Sequence, residues 1–305
     1  MNSKLLVTML FLAAANHLYA LSISTYNIRN FDYDSRSKTS TNKSKLAEIL
    51  ENLESDLVAV QEITKPKKFK EFINHFLPAY GVALSRCGGA NSQSLGFIYN
   101  KNQLRLDGFY EDDRTNAYQG MSNKGCPTQG SRPLAVAKFT NLSAKSGLRD
   151  FTAIAVHLKA GPSPKSVGKR KKQLLIIREI IDEIREFEDV NIAIMGDFNT
   201  TSFNKGGIGL SNFEDFAINS GLNNITYQDV KCSNYYFPNY GSPIVKSSLL
   251  DHILISDEMS EYFEYIKSSS TLFCRNLSCS DMDKEKVDVL FDQVSDHCPI
   301  ISHLK

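Results

Sequence analysis

The sequence predicts an α/β protein in which buried strands alternate with amphipathic helices. Short apolar runs rich in β-branched residues, such as 56–61 (DLVAVQ) and 190–195 (VNIAIM), are typical of buried strands. Elsewhere apolar residues recur every three or four positions, as they do within 46–53, which indicates a helix with one buried face. Several of the strand-like runs end at a polar or charged residue. Because ligands of α/β proteins commonly bind at strand ends, these residues are candidates for a site.

The predicted elements follow one another from residue 21. A strand at 21–29 (LSISTYNIR) leads through a polar loop to the helix at 46–53 and the strand at 56–61. Pro66 begins a helix that extends to residue 77, since proline is favoured in a first helical turn. Further strands are expected at 82–85, 95–99, 104–110, 134–139, 151–157, 190–195 and 249–255, and in the last residues up to Leu304.

A turn at 161–168 should lead into a long helix whose apolar stripe includes Leu174, Ile177 and Ile181. The helix begins with four cations, 169–172 (KRKK). Such a run usually forms a solvent-exposed face; the alternative is that it faces a phosphate group, because it follows His157 closely. A short helix is expected around 213–217.

Composition sets few limits on function. The chain has 305 residues, 42% of them hydrophobic, and a formal net charge of +1. No overall electrostatic field therefore selects nucleic acid or a membrane surface. No internal repeat, low-complexity segment or linker divides the chain, which predicts one domain from residue 21 to 305.

The first 20 residues predict a signal peptide. Lys4 precedes an apolar stretch at 5–15, and the small residue Ala20 ends a segment that is too short to span a membrane. The alternative is an uncleaved N-terminal anchor. We therefore expect a secreted or periplasmic protein, a location that permits disulfide bonds.

Six cysteines, an even number, fit disulfide pairing in an exported protein. Cys274 and Cys279 are close enough in sequence to close a small loop, and Cys87 and Cys126 flank a loop-rich region. These are the two pairs that we expect. A long polar loop is expected at 112–130. No pair has the C-x-x-C spacing of a structural zinc site.

The polar residues at strand ends form the candidate site. Carboxylate and amide oxygens are hard ligands suited to Mg²⁺, Mn²⁺ or Ca²⁺, and Mg²⁺ commonly binds through carboxylates together with a substrate phosphate. The pocket is therefore suited to phosphoryl chemistry. Its members are Asn27, Glu62, His157, Asp197, Asn199, Asp251, Asp296 and His297, with Arg132 at the start of a strand.

Two local patterns accompany this set. In GDFN, residues 196–199, Asp197 and Asn199 can point the same way if the chain is extended, and Gly196 allows another backbone to come close; the alternative is an Asx turn. His252 should face away from the site if Asp251 faces into it, because adjacent strand residues alternate. The aromatic residues of 235–240 either pack beside Cys232 or stack on bases or acyl chains.

Seven motifs occur in an order that resembles the endonuclease/exonuclease/phosphatase superfamily, and most closely its secreted deoxyribonuclease I-like branch. They are YNIR at 26–29, QE at 61–62, SRP at 131–133, VHLK at 156–159, GDFN at 196–199, LDHI at 250–253 and SDH at 295–297. The resemblance implies a four-layer α/β sandwich of two packed, mainly antiparallel sheets flanked by helices, with the site at one edge. It also implies a hydrolase that uses Mg²⁺, with Mn²⁺ or Ca²⁺ as alternatives.

The resemblance implies a role for each site residue. Glu62 should hold the metal with Asn27 beside it, and Asp296 should complete the shell of the metal or of His297. Asp251 and His297 resemble the pair that activates water, and His157 resembles the acid near the leaving oxygen. Asp197 and Asn199 should position the phosphate or a second metal, and Arg132 should neutralise charge on the phosphoryl oxygens.

One position departs from the family pattern. A glutamate just before the strand at 95–99 normally orients the acid histidine, and Gln93 stands there in this sequence. Glutamine accepts a hydrogen bond but cannot stabilise an imidazolium by charge. Either His157 is a weaker acid here, or it polarises the phosphate as a hydrogen-bond donor.

Three functions are compatible with these residues. The first is an exported metal-dependent nuclease, acting as a monomer on DNA or on RNA, with no stable membrane association. The second is an exported phosphodiesterase or phosphatase acting on a lipid or inositol phosphate, such as sphingomyelin. The third is a catalytically inert binding module of the same fold. A nuclease should cleave plasmid, the second type of enzyme should release phosphate or phosphocholine, and a binding module should do neither.

Overall fold

The structure, a computed structural model, describes residues 21–35, 38–116, 126, 130–143, 147–201, 206–239 and 241–305. The expected signal peptide, residues 1–20, lies outside the described residues, and so does part of the expected loop at 112–130. Among the described residues no helix is both long and apolar enough to cross a bilayer.

Local sequence signals set the helix boundaries. Asn42 caps α1, where its side chain accepts a hydrogen bond from the Lys45 backbone N–H, and Pro66 begins α2. The turn expected at 161–168 is wrong in its second half: α3 begins at Pro164, because Ser163 accepts a hydrogen bond from the Ser166 N–H. The helices are α1 (Lys43–Asn52), α2 (Pro66–Phe76), α3 (Pro164–Phe187), α4 (Ile208–Asn219), α5 (Asp257–Ser260), α6 (Leu272–Asn276) and α7 (Leu290–Gln293).

The strand predictions are correct in type and differ at the boundaries. The strands are β1 (Leu21–Phe31), β2 (Tyr33–Asp34), β3 (Thr39–Ser40), β4 (Leu57–Ile63), β5 (Tyr80–Leu84), β6 (Ser94–Asn100), β7 (Leu104–Asp112), β8 (Leu134–Asn141), β9 (Asp150–His157), β10 (Ile192–Asp197), β11 (Leu222–Asn224), β12 (Asn234–Tyr236), β13 (Ile244–Ser248), β14 (Asp251–Ser256), β15 (Ile266–Ser270), β16 (Met282–Asp283) and β17 (Ile300–Leu304). The strand expected at 190–195 begins two residues later, because Val190 is exposed and the Asp189 side chain accepts the Asn191 N–H.

Two six-stranded sheets contain most of these strands. The first has the order β15-β17-β1-β4-β6-β5 and the second β11-β14-β10-β9-β8-β7. Strand β4 runs parallel to β1, and β10 runs parallel to β9; the other pairs within the two sheets are antiparallel. The mainly antiparallel character that the family resemblance implied is therefore confirmed.

Alternation along the strands of the first sheet separates two cores. Leu57 and Phe97 face the second sheet, and they share a core with residues of that sheet and of α3. Their neighbours Val58 and Ile98 face the opposite way and pack with α1 and α2. The order helices, sheet, sheet, helices is the predicted four-layer sandwich, and it brings the ends of both sheets to one edge.

Three disulfides join parts of the described chain. The predicted Cys87–Cys126 pair is confirmed, whereas Cys274–Cys279 is wrong: Cys279 bonds to Cys232, and Cys274 bonds to Cys298. Cys274 lies on α6 and is buried against Cys298, while Cys279 lies beyond the end of that helix. Closeness in sequence therefore did not bring these two sulfur atoms together.

Candidate active site

Strand pairing in the second sheet aligns three of the predicted site residues. Asp197, at the end of β10, pairs with His157 at the end of β9 and with Asp251 at the start of β14. All three side chains are buried. Gly196 permits this arrangement, since a Cβ at that position would lie 2.1 Å from the Val156 carbonyl oxygen. The prediction that Gly196 admits a close backbone is confirmed.

The end of the first sheet supplies Asn27 and Glu62. Asn27 Nδ2 donates to Asp197 Oδ2 at 3.2 Å and to Glu62 Oε1 at 3.4 Å, so it joins the two sheets at the site. Glu62 has a φ of 63°, a left-handed conformation that is uncommon for a non-glycine residue and that clusters at functional sites. Its second oxygen accepts the Asn30 backbone N–H at 3.1 Å.

A buried acid–histidine pair lies beside these residues. His297 Nδ1 is 2.7 Å from Asp251 Oδ2, and the two side chains are 9% and 1% exposed. Burial lowers the pKa of His297, but the charge of Asp251 and its hydrogen bond, followed by Asp197, raise it to about 10. The Ser295 hydroxyl holds the segment in place: it donates to the Asn27 carbonyl and accepts the His297 N–H.

Asp197 lies between the two histidines. Its Oδ2 is 3.4 Å from His157 Nε2 and 4.0 Å from His297 Nε2. Burial, followed by the charge of Asp251, raises the pKa of Asp197 to about 7. The centre of the site is therefore crowded with carboxylate charge, which favours the binding of cations there.

His157 has a different environment from His297. Burial, followed by the charges of Arg132 and His297, lowers the pKa of His157 well below its usual value. Its Nδ1 atom is buried and has no hydrogen-bond partner. His157 is consequently a neutral imidazole at neutral pH, which can donate a hydrogen bond but is a poor proton donor.

Gln93 does not orient His157. Its amide nitrogen donates to Asn30 Oδ1 at 2.7 Å, and its oxygen accepts a hydrogen bond from Arg132. The interpretation of Gln93 as the residue that replaces the family glutamate beside His157 is therefore not supported by its contacts. It holds the Arg132 guanidinium instead.

The GDFN segment also differs from the expected geometry. Asn199 has a φ of 54°, and its N–H donates to Asp197 Oδ1 at 2.9 Å, so the alternative Asx turn is the one that forms. The chain is not extended there, yet Asn199 still lines the cleft, and its side-chain amide donates to the Leu158 carbonyl. His252 faces away as predicted and packs against Phe198 and Phe213.

These residues lie at the base of a large open cleft of about 1120 Å³. This volume exceeds the roughly 300–1,000 Å³ typical of small-molecule pockets. The predicted residues that line it are Glu62, Gln93, Arg132, His157, Asp197, Asn199, Asp296 and His297. Asn27 and Asp251 are fully buried behind them and support the side chains that face the cleft.

The donor set fits a hard divalent cation. Glu62 and Asp296 face the cleft beside Asp197, and burial raises the pKa of Glu62 although the charge of Arg132 opposes the shift. Asp251 has a buried Oδ1 without a hydrogen-bond partner, and ligand atoms of Asp197, Asp251 and His297 lie within 4.8 Å of one another. Oxygen-rich sets of this kind suit Mg²⁺, Mn²⁺ or Ca²⁺.

Two site residues were missed in the sequence. Asn30 binds Glu62 through its backbone and Gln93 through its side chain, and its φ of 51° is tolerated best by asparagine and glycine. Lys159 lines the cleft two residues after His157. The asparagine in YNIRN and the lysine in VHLK were visible signals to which no role was given.

Comparisons with known proteins agree with this fold. The model of the endonuclease/exonuclease/phosphatase family matches residues 24–297. A solved D. rerio TDP2 complexed with single-strand DNA product is 15% identical with a TM-score of 0.59, covering 93% of this chain and 98% of that one. A Bacteroides vulgatus member of the family is 15% identical with a TM-score of 0.60 and the same coverage. A Bacteroides thetaiotaomicron mannosyl-6-phosphatase is 13% identical with a TM-score of 0.57, covering 93% and 99%. No curated protein sequence matches the chain.

Proposed function

The chain belongs to the endonuclease/exonuclease/phosphatase family, and from that premise we propose that it is an exported, divalent-metal-dependent nuclease that hydrolyses phosphodiester bonds in DNA. The observation that carries the proposal is the buried Asp251–His297 pair, which lies beside Glu62 and Asp296 at a cleft of about 1120 Å³ that has room for a polymer. The solved TDP2 complex with single-strand DNA product gives the fold a precedent for a nucleic acid ligand. Three disulfides support export, because they persist in oxidising compartments.

The proposed chemistry assigns the proton transfer to His297. The neutral form of His297, whose share grows as the pH approaches its raised pKa of about 10, accepts the proton of the attacking water at Nε2, while Asp251 at Nδ1 stabilises the imidazolium that forms. A divalent cation held by Glu62 and Asp296, with Asp197 beside it, would counter the carboxylate charge and polarise the phosphoryl oxygens. Asn27 lies behind the carboxylates of Glu62 and Asp197 and holds both by hydrogen bonds.

Three residues act on the phosphate itself. Arg132, held by Gln93, neutralises charge that develops on the phosphoryl oxygens. His157 donates a hydrogen bond to the phosphate as a neutral imidazole rather than protonating the leaving oxygen, because its pKa is low. Asn199 lines the cleft beside them and positions the scissile phosphate.

A phosphatase acting on a small phosphate ester is the second candidate, favoured by the resemblance of the fold to the mannosyl-6-phosphatase. The cleft volume favours a polymer over such a substrate. The inositol or lipid phosphate alternative would use the same residues and differs in what occupies the rest of the cleft.

The test is incubation of the purified chain from residue 21 onward with supercoiled plasmid, in Mg²⁺, in Mn²⁺ and in chelator. We expect nicking with metal and none with chelator, and the same preparation of His297→Asn should leave the plasmid intact. Sphingomyelin vesicles, an inositol phosphate and a sugar 6-phosphate serve as parallel substrates. Intact plasmid combined with release of phosphate or phosphocholine would replace the nuclease by the corresponding esterase.

A further inference from the structure

Helix α3 divides its N-terminal cations between two faces. Lys169 and Lys172, three positions apart, line the cleft together with Ile176. Lys171 lies on another face, where it borders a separate groove between α3 and α4 beside Leu175. The cationic run seen in the sequence is therefore not a uniform solvent-exposed face.

Two buried side chains of the same helix, Arg170 and Gln173, hold Lys159 beside Lys169 and Lys172. Arg170 is 3% exposed, and its Nη1 donates to the carbonyls of Lys159 and Gly161 at 2.7 Å each. Gln173 is 4% exposed and accepts the Lys159 N–H at 2.9 Å. The backbone of Lys159 is thus fixed to α3, with its side chain on the cleft.

The three lysines form a locally positive wall. Burial lowers the pKa of Lys159, and the charges of Lys169, Arg132 and Arg170 lower it further, as they do where cations crowd together. The carboxylates that line the cleft are Asp34, Glu62, Asp197 and Asp296, and none of them belongs to α3 or to the segment that contains Lys159. A concave surface lined by one sign of charge concentrates the field and attracts an anion.

We propose that Lys159, Lys169 and Lys172 bind a backbone phosphate of the DNA strand beyond the scissile one, on the His157 side of the site. The inference rests on the proposed nuclease function and specifies how it selects a polymer. A small phosphate ester has no second phosphate to reach this wall, whereas a strand that enters the site must pass along it. The exposed apolar side chain of Leu175, close to the lysines on α3, borders the groove between α3 and α4 and not the wall, so it offers a bilayer no apolar contact beside the wall.

The wall is tested by binding in the absence of metal, which prevents cleavage. Anisotropy of a short fluorescein-labelled single-stranded DNA in chelator is measured for the wild type, Lys159→Gln, the double variant Lys169→Gln/Lys172→Gln and the control Lys171→Gln. We expect the double variant to bind about tenfold more weakly, with a log Kd against log salt slope shallower by about 1 for each lysine. The control removes the same type of charge from the same helix and should bind like the wild type.

A second readout compares substrates. With Mg²⁺, the ratio of turnover on the oligonucleotide to turnover on bis(p-nitrophenyl) phosphate should fall about tenfold in the double variant, since only the polymer reaches the wall. The proposal would be overturned if Lys171→Gln weakened DNA binding as much as the double variant does, or if the double variant bound DNA like the wild type. It would also be overturned if the double variant lost binding to phosphatidylglycerol vesicles and kept its binding to DNA. DNA binding that depends on the wall, with plasmid left intact in every metal, would retain the wall and refute the nuclease function.

Discussion

Replacing Asp251 by Asn removes the charge on which the proposed water-activating role of His297 depends. The two side chains meet at 2.7 Å in a buried environment, and the pKa of His297 is raised to about 10. Relative to the ordinary value of about 6.5, this shift corresponds to about 5 kcal/mol in favour of the imidazolium. Asp251 makes the largest contribution that raises it. Most of the stabilisation of the protonated ring should therefore disappear in Asp251→Asn.

The expected kinetic effect follows from that stabilisation. If about 3–5 kcal/mol of it is realised when His297 accepts the proton, kcat should fall by about two to four orders of magnitude. Asparagine is nearly isosteric, and the Asp251 backbone N–H should keep its hydrogen bond to Ser233 Oγ, so the fold should be retained. Circular dichroism and thermal unfolding provide the check on folding.

A double-variant cycle distinguishes a shared role from two separate ones. Single-turnover cleavage of an oligonucleotide at saturating Mg²⁺ is measured for Asp251→Asn, His297→Asn and the combination. Residues that act as a unit give non-additive losses, so the combination should be within about threefold of His297→Asn alone. Losses that multiply would show that Asp251 acts independently of His297, and the proposed proton transfer would be refuted. An NMR titration of His297 in chelator should also place its pKa well below about 10 in Asp251→Asn.

Three further substitutions test other parts of the site and the fold. Glu62→Gln keeps the size of the side chain but removes a cleft-facing charge, so activity should fall at least about a hundredfold and the Mg²⁺ requirement should rise; an unchanged requirement would remove Glu62 from the metal site. Gln93→Glu should reduce kcat/KM about tenfold, because the new carboxylate pairs with Arg132 and diverts it from the phosphate; faster cleavage would point to a contact with His157 instead. Burial lowers the pKa of His252 to about 3, so the unfolded chain takes up its proton below about pH 6.5 while the folded protein does not. The free energy of unfolding should therefore fall by about 2 kcal/mol more in the wild type than in His252→Gln between pH 8 and pH 5, and parallel pH profiles from urea titrations would contradict this.

Hydrophobic periodicity was sufficient to predict the strands and helices that build the sandwich. Short apolar runs such as 151–157 and 249–255 have the length and composition of buried strands, and they correspond to β9 and β14 in the structure. The same pattern predicted that His252 faces away from Asp251, because alternation along a strand is geometric. Boundaries were harder to predict: Ser163 caps α3 through one hydrogen bond, and apolar periodicity does not register such a cap.

Contacts between distant side chains were not predictable from the sequence in the same way. Cys274 pairs with Cys298 and not with its close neighbour Cys279, because pairing depends on where α6 directs each sulfur atom. Gln93 was assigned to His157 by motif position, yet the loop that contains it turns its amide toward Arg132 and Asn30. A motif specifies which residues reach the site, whereas hydrogen-bond partners depend on side-chain directions that only the packed structure sets.

The two histidines of the site have different surroundings, and the proposed proton transfer depends on that difference. His297 has a buried carboxylate at Nδ1 and a raised pKa, whereas His157 has neither a partner at Nδ1 nor a raised pKa. In the proposed reaction His297 keeps the proton that it takes from water and His157 is a poor proton donor, so the leaving oxygen would take its proton from water or from another group in the cleft. The glutamine at position 93 is consistent with this assignment, because a neutral amide beside Arg132 leaves the guanidinium charge available to the phosphate.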